Sequence, residues 1–139
     1  MTEPAVPEEI KALLDDAVER ARDAMGRAYA PYSGFAVGAA ALAGDRIFTG
    51  GNVENASFPV SVCAERNAVA AMLDGGQQRL DAVAIVTEAA APAPPCGACR
   101  QVLWEFGPSA LVVSETLAGE RLVWALEDLL PVPFERGPR

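Results

Sequence analysis

Between Pro7 and Ala28, apolar side chains at Ile10, Leu13, Leu14, Val18, Ala21 and Met25 recur at helical spacing with charged residues between them, which predicts an amphipathic helix that Pro7 could start. Pro31-Tyr32-Ser33-Gly34 stops it. The segments Phe35 to Leu42 and Arg46 to Val53 read as strands joined by a tight turn at Ala43-Gly44-Asp45, a hairpin. A second helical pattern runs from about Cys63 to Leu73 and closes at Gly75-Gly76. Leu80 to Thr87 is a continuous apolar run, the mark of a strand buried on both faces. The proline-rich stretch Ala91 to Pro95 then leads to a helix from Gly97 to about Phe106. Short strands follow at Ala110 to Val113 and Arg121 to Ala125, with a last helical turn over Leu126 to Leu130 before Pro131. A hairpin followed by alternating helices and strands predicts an α/β layered sheet of about five strands, mixed rather than wholly parallel.

A chain of 139 residues, 51% of them hydrophobic, has the size and apolar content of one domain with a substantial core, so residues 1–139 are expected to form a single unit. No apolar run reaches membrane-spanning length, and Glu3, Glu8 and Glu9 stand where a basic leader would be; the expectation is a soluble cytoplasmic protein. Eleven basic residues stand against 19 acidic ones, a net charge of -8, which disfavours a protein that tracks a phosphate backbone and suits small neutral substrates.

The cysteines change the picture. All three lie in two short motifs, Cys63-Ala64-Glu65-Arg66 and Pro95-Cys96-Gly97-Ala98-Cys99-Arg100, and the chain has no histidine. Cysteines of this kind can be small buried apolar groups, a redox pair, or half of a zinc ribbon. A closed structural zinc site usually takes a fourth protein ligand, which this chain lacks, whereas three thiolates and a nearby carboxylate leave a position open for water. Both motifs fall where a loop or strand becomes a helix, so Cys63 and Cys96 belong near helix N-termini, whose dipoles favour thiolates. Residues two apart in a helix point about 200° from one another. Cys63 and Glu65 can therefore share a site only if Cys63 lies at or before the first turn. Three thiolates on Zn²⁺ leave a net charge of -1, and Arg66 and Arg100, each following a motif, are candidates to offset it by donating to sulfur.

These motifs resemble the signature of the zinc-dependent nucleoside deaminases in its all-cysteine version. Pro31-Tyr32-Ser33-Gly34-Phe35, Asn52-Val53-Glu54-Asn55-Ala56 and Cys99-Arg100-Gln101-Val102 extend the likeness to the small homotetrameric cytidine deaminases, over about residues 31 to 134. The resemblance implies a three-layer αβα fold, one zinc per subunit on Cys63, Cys96 and Cys99, and active sites at the interfaces of a homotetramer. It implies hydrolytic deamination of cytidine and deoxycytidine in pyrimidine salvage, with zinc-bound hydroxide attacking C4 and Glu65 shuttling protons. It further implies that the Ala64 N–H binds the base carbonyl, that Asn52 and Glu54 hydrogen-bond the ribose, that Phe35 contacts the pyrimidine, and that Phe134 reaches a neighbouring subunit's pocket. Phe58 departs from the tyrosine often found there. Deaminases of cytosine-nucleoside antibiotics of the blasticidin type share the zinc motifs, and a polynucleotide editor or a zinc-stabilised binding module without catalysis are the other readings.

Overall fold

Side chains that alternate across a strand let one sheet carry helices on both faces. In the computed structural model, which describes residues 1–137, β1 (Val37–Ala43), β2 (Arg46–Gly51), β3 (Ala82–Thr87), β4 (Leu111–Thr116) and β5 (Arg121–Ala125) form a sheet in the order β2-β1-β3-β4-β5. β1 runs antiparallel to both β2 and β3, β3 and β4 are parallel, and β5 returns antiparallel to β4. The mixed five-stranded sheet expected from the pattern is therefore present.

Helix α1 (Lys11–Met25) covers one face, packing Leu14, Ala17, Val18 and Ala21 on Ala40, Leu42, Ala84 and Val86. Helices α2 (Ala64–Asp74), α3 (Gly97–Phe106) and α4 (Leu126–Leu129) cover the other, where Ala68, Val69, Met72 and Leu103 meet Ala39, Ala41, Val83, Ile85 and Val112. The alanines of β1 thus divide between two cores, and their small size lets helices approach the sheet closely from both sides. The approach is closest at the glycines. A Cβ on Gly38 would stand 1.8 Å from the Ala21 carbonyl oxygen in α1, and one on Gly50 2.6 Å from the Ala68 nitrogen in α2. Gly44, at φ +64°, makes the hairpin turn, and its N–H donates to Asp81 Oδ2 at 2.7 Å.

Several boundaries differ from the sequence pattern. Pro7 precedes a 3-10 turn, Glu8–Ile10, and the α-helix proper begins at Lys11 and ends at Met25. β1 starts at Val37 rather than Phe35, because the Asn52 side chain takes up the Val37 N–H and the Phe35 carbonyl. A 3-10 turn at Phe58–Val60 has no counterpart in the sequence pattern. β4 continues past Val113 to Thr116, and its polar end is buried. There Glu115 accepts from Arg22 Nη2 of α1 at 2.6 Å and from Arg121 Nε of β5 at 2.8 Å, while Arg121 Nη1 reaches Asp15 Oδ1 at 2.8 Å. Charge matched on three elements is what lets a carboxylate end a buried strand. Among the described residues, no helix is long and apolar enough to cross a membrane.

Candidate active site

On the α2–α3 face of the sheet both motif helices begin with a cysteine in the cap position. Cys63 (φ -69°, ψ 154°) precedes Ala64, and Cys96 (φ -65°, ψ 167°) precedes Gly97; both are extended, and neither side chain caps its own helix. Their sulfurs are left to face the site. Cys99, in the first turn of α3, points inward from full burial. The three Sγ atoms lie within 4.8 Å of one another, with Cys63 and Cys96 at 3.9 Å. Tetrahedral Zn²⁺ with Zn–S bonds of about 2.3 Å requires S···S separations of about 3.8 Å, so the donor set and its spacing fit zinc.

Cys63's place before the first turn resolves the directional problem of a two-residue spacing, because the helix starts only after it. Glu65 is 6% exposed, and its carboxyl is held above the ordinary value first by burial, with the charge of Cys63 adding to it. The Cys63 thiol is lowered to about 5, chiefly because Cys99 hydrogen-bonds to it, with Arg66 and Cys96 contributing; Cys99 is correspondingly raised, by that same bond and by burial. The thiolate form is thus favoured at Cys63, beside the Arg66 guanidinium.

Two arginines follow the motifs, and their side chains do different things. Arg66 Nη2 lies 3.5 Å from Cys63 Sγ and 3.3 Å from the Ser61 carbonyl. Arg100 donates from Nε to Pro95 O and from Nη1 to Leu129 O, both at 2.8 Å. Arg100 therefore ties the loop before Cys96 to α4; among the described residues, the arginine bonded to a cysteine sulfur is Arg66.

A cavity of about 330 Å³ opens beside Cys63 and Cys96. Phe35, Asn52, Glu54, Cys63, Ala64, Glu65 and Cys96 all line it, which brings together most of the residues singled out from the sequence. Its wall also includes Ser33, Val37, Ile85, Thr87, Ala93 and Pro94. Those from β3 were missed because an unbroken apolar strand does not show which end meets a cavity. Ala93 and Pro94 had a signal, their place in the proline-rich run directly before Cys96. Phe134 lies elsewhere: it is 72% exposed, and its backbone N–H and carbonyl exchange 2.9 Å bonds with the Gln101 amide on α3.

Asn52 and Glu54 are partly committed to the protein itself. Asn52 Oδ1 accepts from Val37 N at 2.8 Å and its Nδ2 donates to Phe35 O at 2.9 Å. Glu54 Oε1 accepts from Tyr32 N at 2.9 Å and Ser33 N at 3.1 Å, and Oε2 accepts from the Ser33 hydroxyl. These bonds hold the Glu54 carboxyl below its ordinary value, the Ser33 hydroxyl contributing most. Counting donors and acceptors, Asn52 keeps one N–H and one lone pair, and Glu54 one lone pair on Oε2. One hydroxyl, donating to Glu54 and accepting from Asn52, matches that remainder.

The family model for the cytidine and deoxycytidylate deaminase zinc-binding region matches residues 12–115, and the chain belongs to that family. It is 47% identical over 115 residues to a cytidine deaminase of Mycobacterium tuberculosis strain H37Rv, covering 82% of this chain and 84% of that one. The crystal structure of a cytidine deaminase from Burkholderia pseudomallei superposes with a TM-score of 0.83 at 44% identity, over 86% of this chain and 98% of the other. Similarity to a blasticidin-S deaminase of Bacillus cereus is lower, 27% over 85 residues and 55% of this chain.

Proposed function

We propose that this protein catalyses the hydrolytic deamination of cytidine and deoxycytidine to uridine and deoxyuridine, a reaction of pyrimidine salvage. One observation carries the reading: three cysteine sulfurs cluster at zinc spacing, and two of them, Cys63 and Cys96, share a cavity wall with the buried carboxyl of Glu65. Cys63, Cys96 and Cys99 hold the metal, which when bound supplies the Lewis acidity that makes water nucleophilic near neutral pH. Glu65 takes one proton from the attacking water and passes it to ring N3, then takes the second from the hydroxyl formed at C4 and delivers it to the departing amine, so that C4 becomes a carbonyl as ammonia leaves. Its raised affinity for a proton suits a group that must hold one between transfers. The Ala64 N–H, at the start of α2 where helix donors lack helical acceptors, binds the base carbonyl. Phe35 packs on the pyrimidine, and Asn52 with Glu54 reads one sugar hydroxyl. Arg66 draws charge from Cys63 and keeps three thiolates from blunting the metal.

Residues 1–139 act as one deaminase domain on a small nucleoside in the cytoplasm, and the working form is a homotetramer. Tyr32, Phe58 and Phe134 are 52%, 71% and 72% exposed, and Tyr32 and Phe58 flank the Ser33–Glu54 side of the cavity, which supports subunit contacts close to the site. Arg100 serves the cage from behind, by fixing the Cys96 loop. An ultraviolet assay of cytidine loss, with zinc quantified in the same sample and the mass measured by sedimentation, tests these statements together. The expected result is turnover, one zinc per chain and a tetrameric mass. A protein that holds one zinc and releases no ammonia from any cytosine nucleoside is a binding module instead.

A further inference from the structure

The turn at residues 30–35 ends in a relay that no part of the reaction described above uses. Gly34 adopts φ +69° and its N–H closes on the Ala30 carbonyl at 2.9 Å, a conformation in which the chain doubles back and the Phe35 N–H donates to Ser33 Oγ at 2.9 Å. A serine hydroxyl has a single proton. With a lone pair occupied by the Phe35 N–H, that proton is directed to Glu54 Oε2, and the Ser33 and Tyr32 N–H groups close on Oε1. Ser33 therefore stands between the backbone of the aromatic that covers the base and the carboxylate that reads the sugar. It also decides how many lone pairs Glu54 has left to offer.

We propose that Ser33 is a positioning residue for substrate binding, whose hydroxyl fixes the Phe35 backbone and the Glu54 carboxylate in one arrangement so that base and sugar contacts are set together. The proposal rests on the nucleoside reading given under the proposed function. The hydroxyl makes no contact with the sulfurs or with Glu65 in the structure, so its effect falls on binding and not on proton transfer.

The test is steady-state kinetics with cytidine on the zinc-loaded protein, for the wild type, Ser33→Ala, Ser33→Thr, Glu54→Gln and the Ser33→Ala/Glu54→Gln double variant, with zinc content and thermal melting recorded for each. Loss of a hydrogen bond to a carboxylate corresponds to about a tenfold effect. Ser33→Ala is expected to raise KM about tenfold while kcat stays within about twofold, and Ser33→Thr, which restores the hydroxyl, to keep KM within about twofold of wild type. In the Glu54→Gln background, where Nε2 cannot accept the hydroxyl's proton, the Ser33→Ala change should add less than about twofold. An unchanged KM in Ser33→Ala, a fall in kcat as large as the change in KM, or a full tenfold effect in the Glu54→Gln background overturns the proposal. If Ser33→Ala does not fold, Ser33→Thr still decides: a wild-type KM supports the hydroxyl's role and a tenfold rise overturns it. A zinc-loaded wild type that leaves cytidine intact overturns the nucleoside reading itself and the inference with it; an active wild type with an indifferent Ser33→Ala overturns the inference alone.

Discussion

Glu65 is the residue on which chemistry and fold can be separated most cleanly. Its carboxyl is buried in the cavity wall, yet in the proposed mechanism it is not a metal ligand, so Glu65→Gln removes the proton carrier while keeping shape and polarity. We expect full zinc content, an unchanged melting temperature and a kcat lowered about a thousandfold, read by the ultraviolet assay beside metal analysis. The thiols make a second prediction. Cys63, lowered from 9.0 to about 5, is ionised at pH 7 before metal arrives, whereas Cys99 is raised and still carries its proton. Metal uptake at pH 7 should therefore release fewer than three protons per zinc, and the number should rise as the pH is brought below 5, where Cys63 becomes protonated. Calorimetric titration in buffers of different ionisation enthalpy measures that count. That Cys63, Glu65, Cys96 and Cys99 come together was legible in the sequence, because few residue types can hold a metal or carry a proton and their spacing is restrictive. Ser33 was not, since a serine in a turn is ordinary until the partners of its hydroxyl are known. Arg100 shows the converse: its position beside a ligand suggested a sulfur contact, but helix geometry turns it to the Pro95 and Leu129 carbonyls.

The elements place those residues through two close approaches on opposite faces. Gly50 admits α2, and Asn67 Nδ2 of that helix bonds the Gly51 carbonyl at 2.8 Å, so the start of α2 is set against β2 and the Asn52–Glu54 segment that continues it. Gly38 admits α1 on the far side. Gly50→Ala should displace the first turn of α2 and lower zinc affinity and kcat together. Gly38→Ala should cost about 3 kcal/mol or more in denaturant unfolding while the folded fraction keeps its zinc. Comparing metal content per folded molecule in the two variants distinguishes them. Helix and hairpin positions were readable from periodicity. Their ends were less so, because side-chain bonds such as Asn52 to the 35–37 backbone, or Arg22 and Arg121 to Glu115, decide where a strand can start or continue.

At the scale of the whole molecule, the number of strands and their mixed sense followed from the alternation of elements, but the order β2-β1-β3-β4-β5 did not. Strand order depends on which faces cover each other, and a single sequence does not say. The Asp15–Arg121–Glu115–Arg22 chain binds α1, β4 and β5 on the face away from the cavity. Glu115→Ala leaves two partly exposed guanidinium groups without their shared partner. It should lower stability by about 2 kcal/mol in urea unfolding, with kcat/KM for cytidine unchanged. The sulfur cage has the opposite character, because its ligands come from two helices separated in the chain by the whole of β3. Chelation of the bound zinc should lower the melting temperature by on the order of 10 °C, seen by calorimetry with and without chelator. An ion gripping the heads of both α2 and α3 is a staple as well as a reagent, closing a long loop of chain much as a disulfide would in an oxidising compartment. A cell starved of zinc would therefore hold the same fold with less stability in reserve, and the two helix heads that build the pocket are where its opening, and so its proteolysis, is expected to begin.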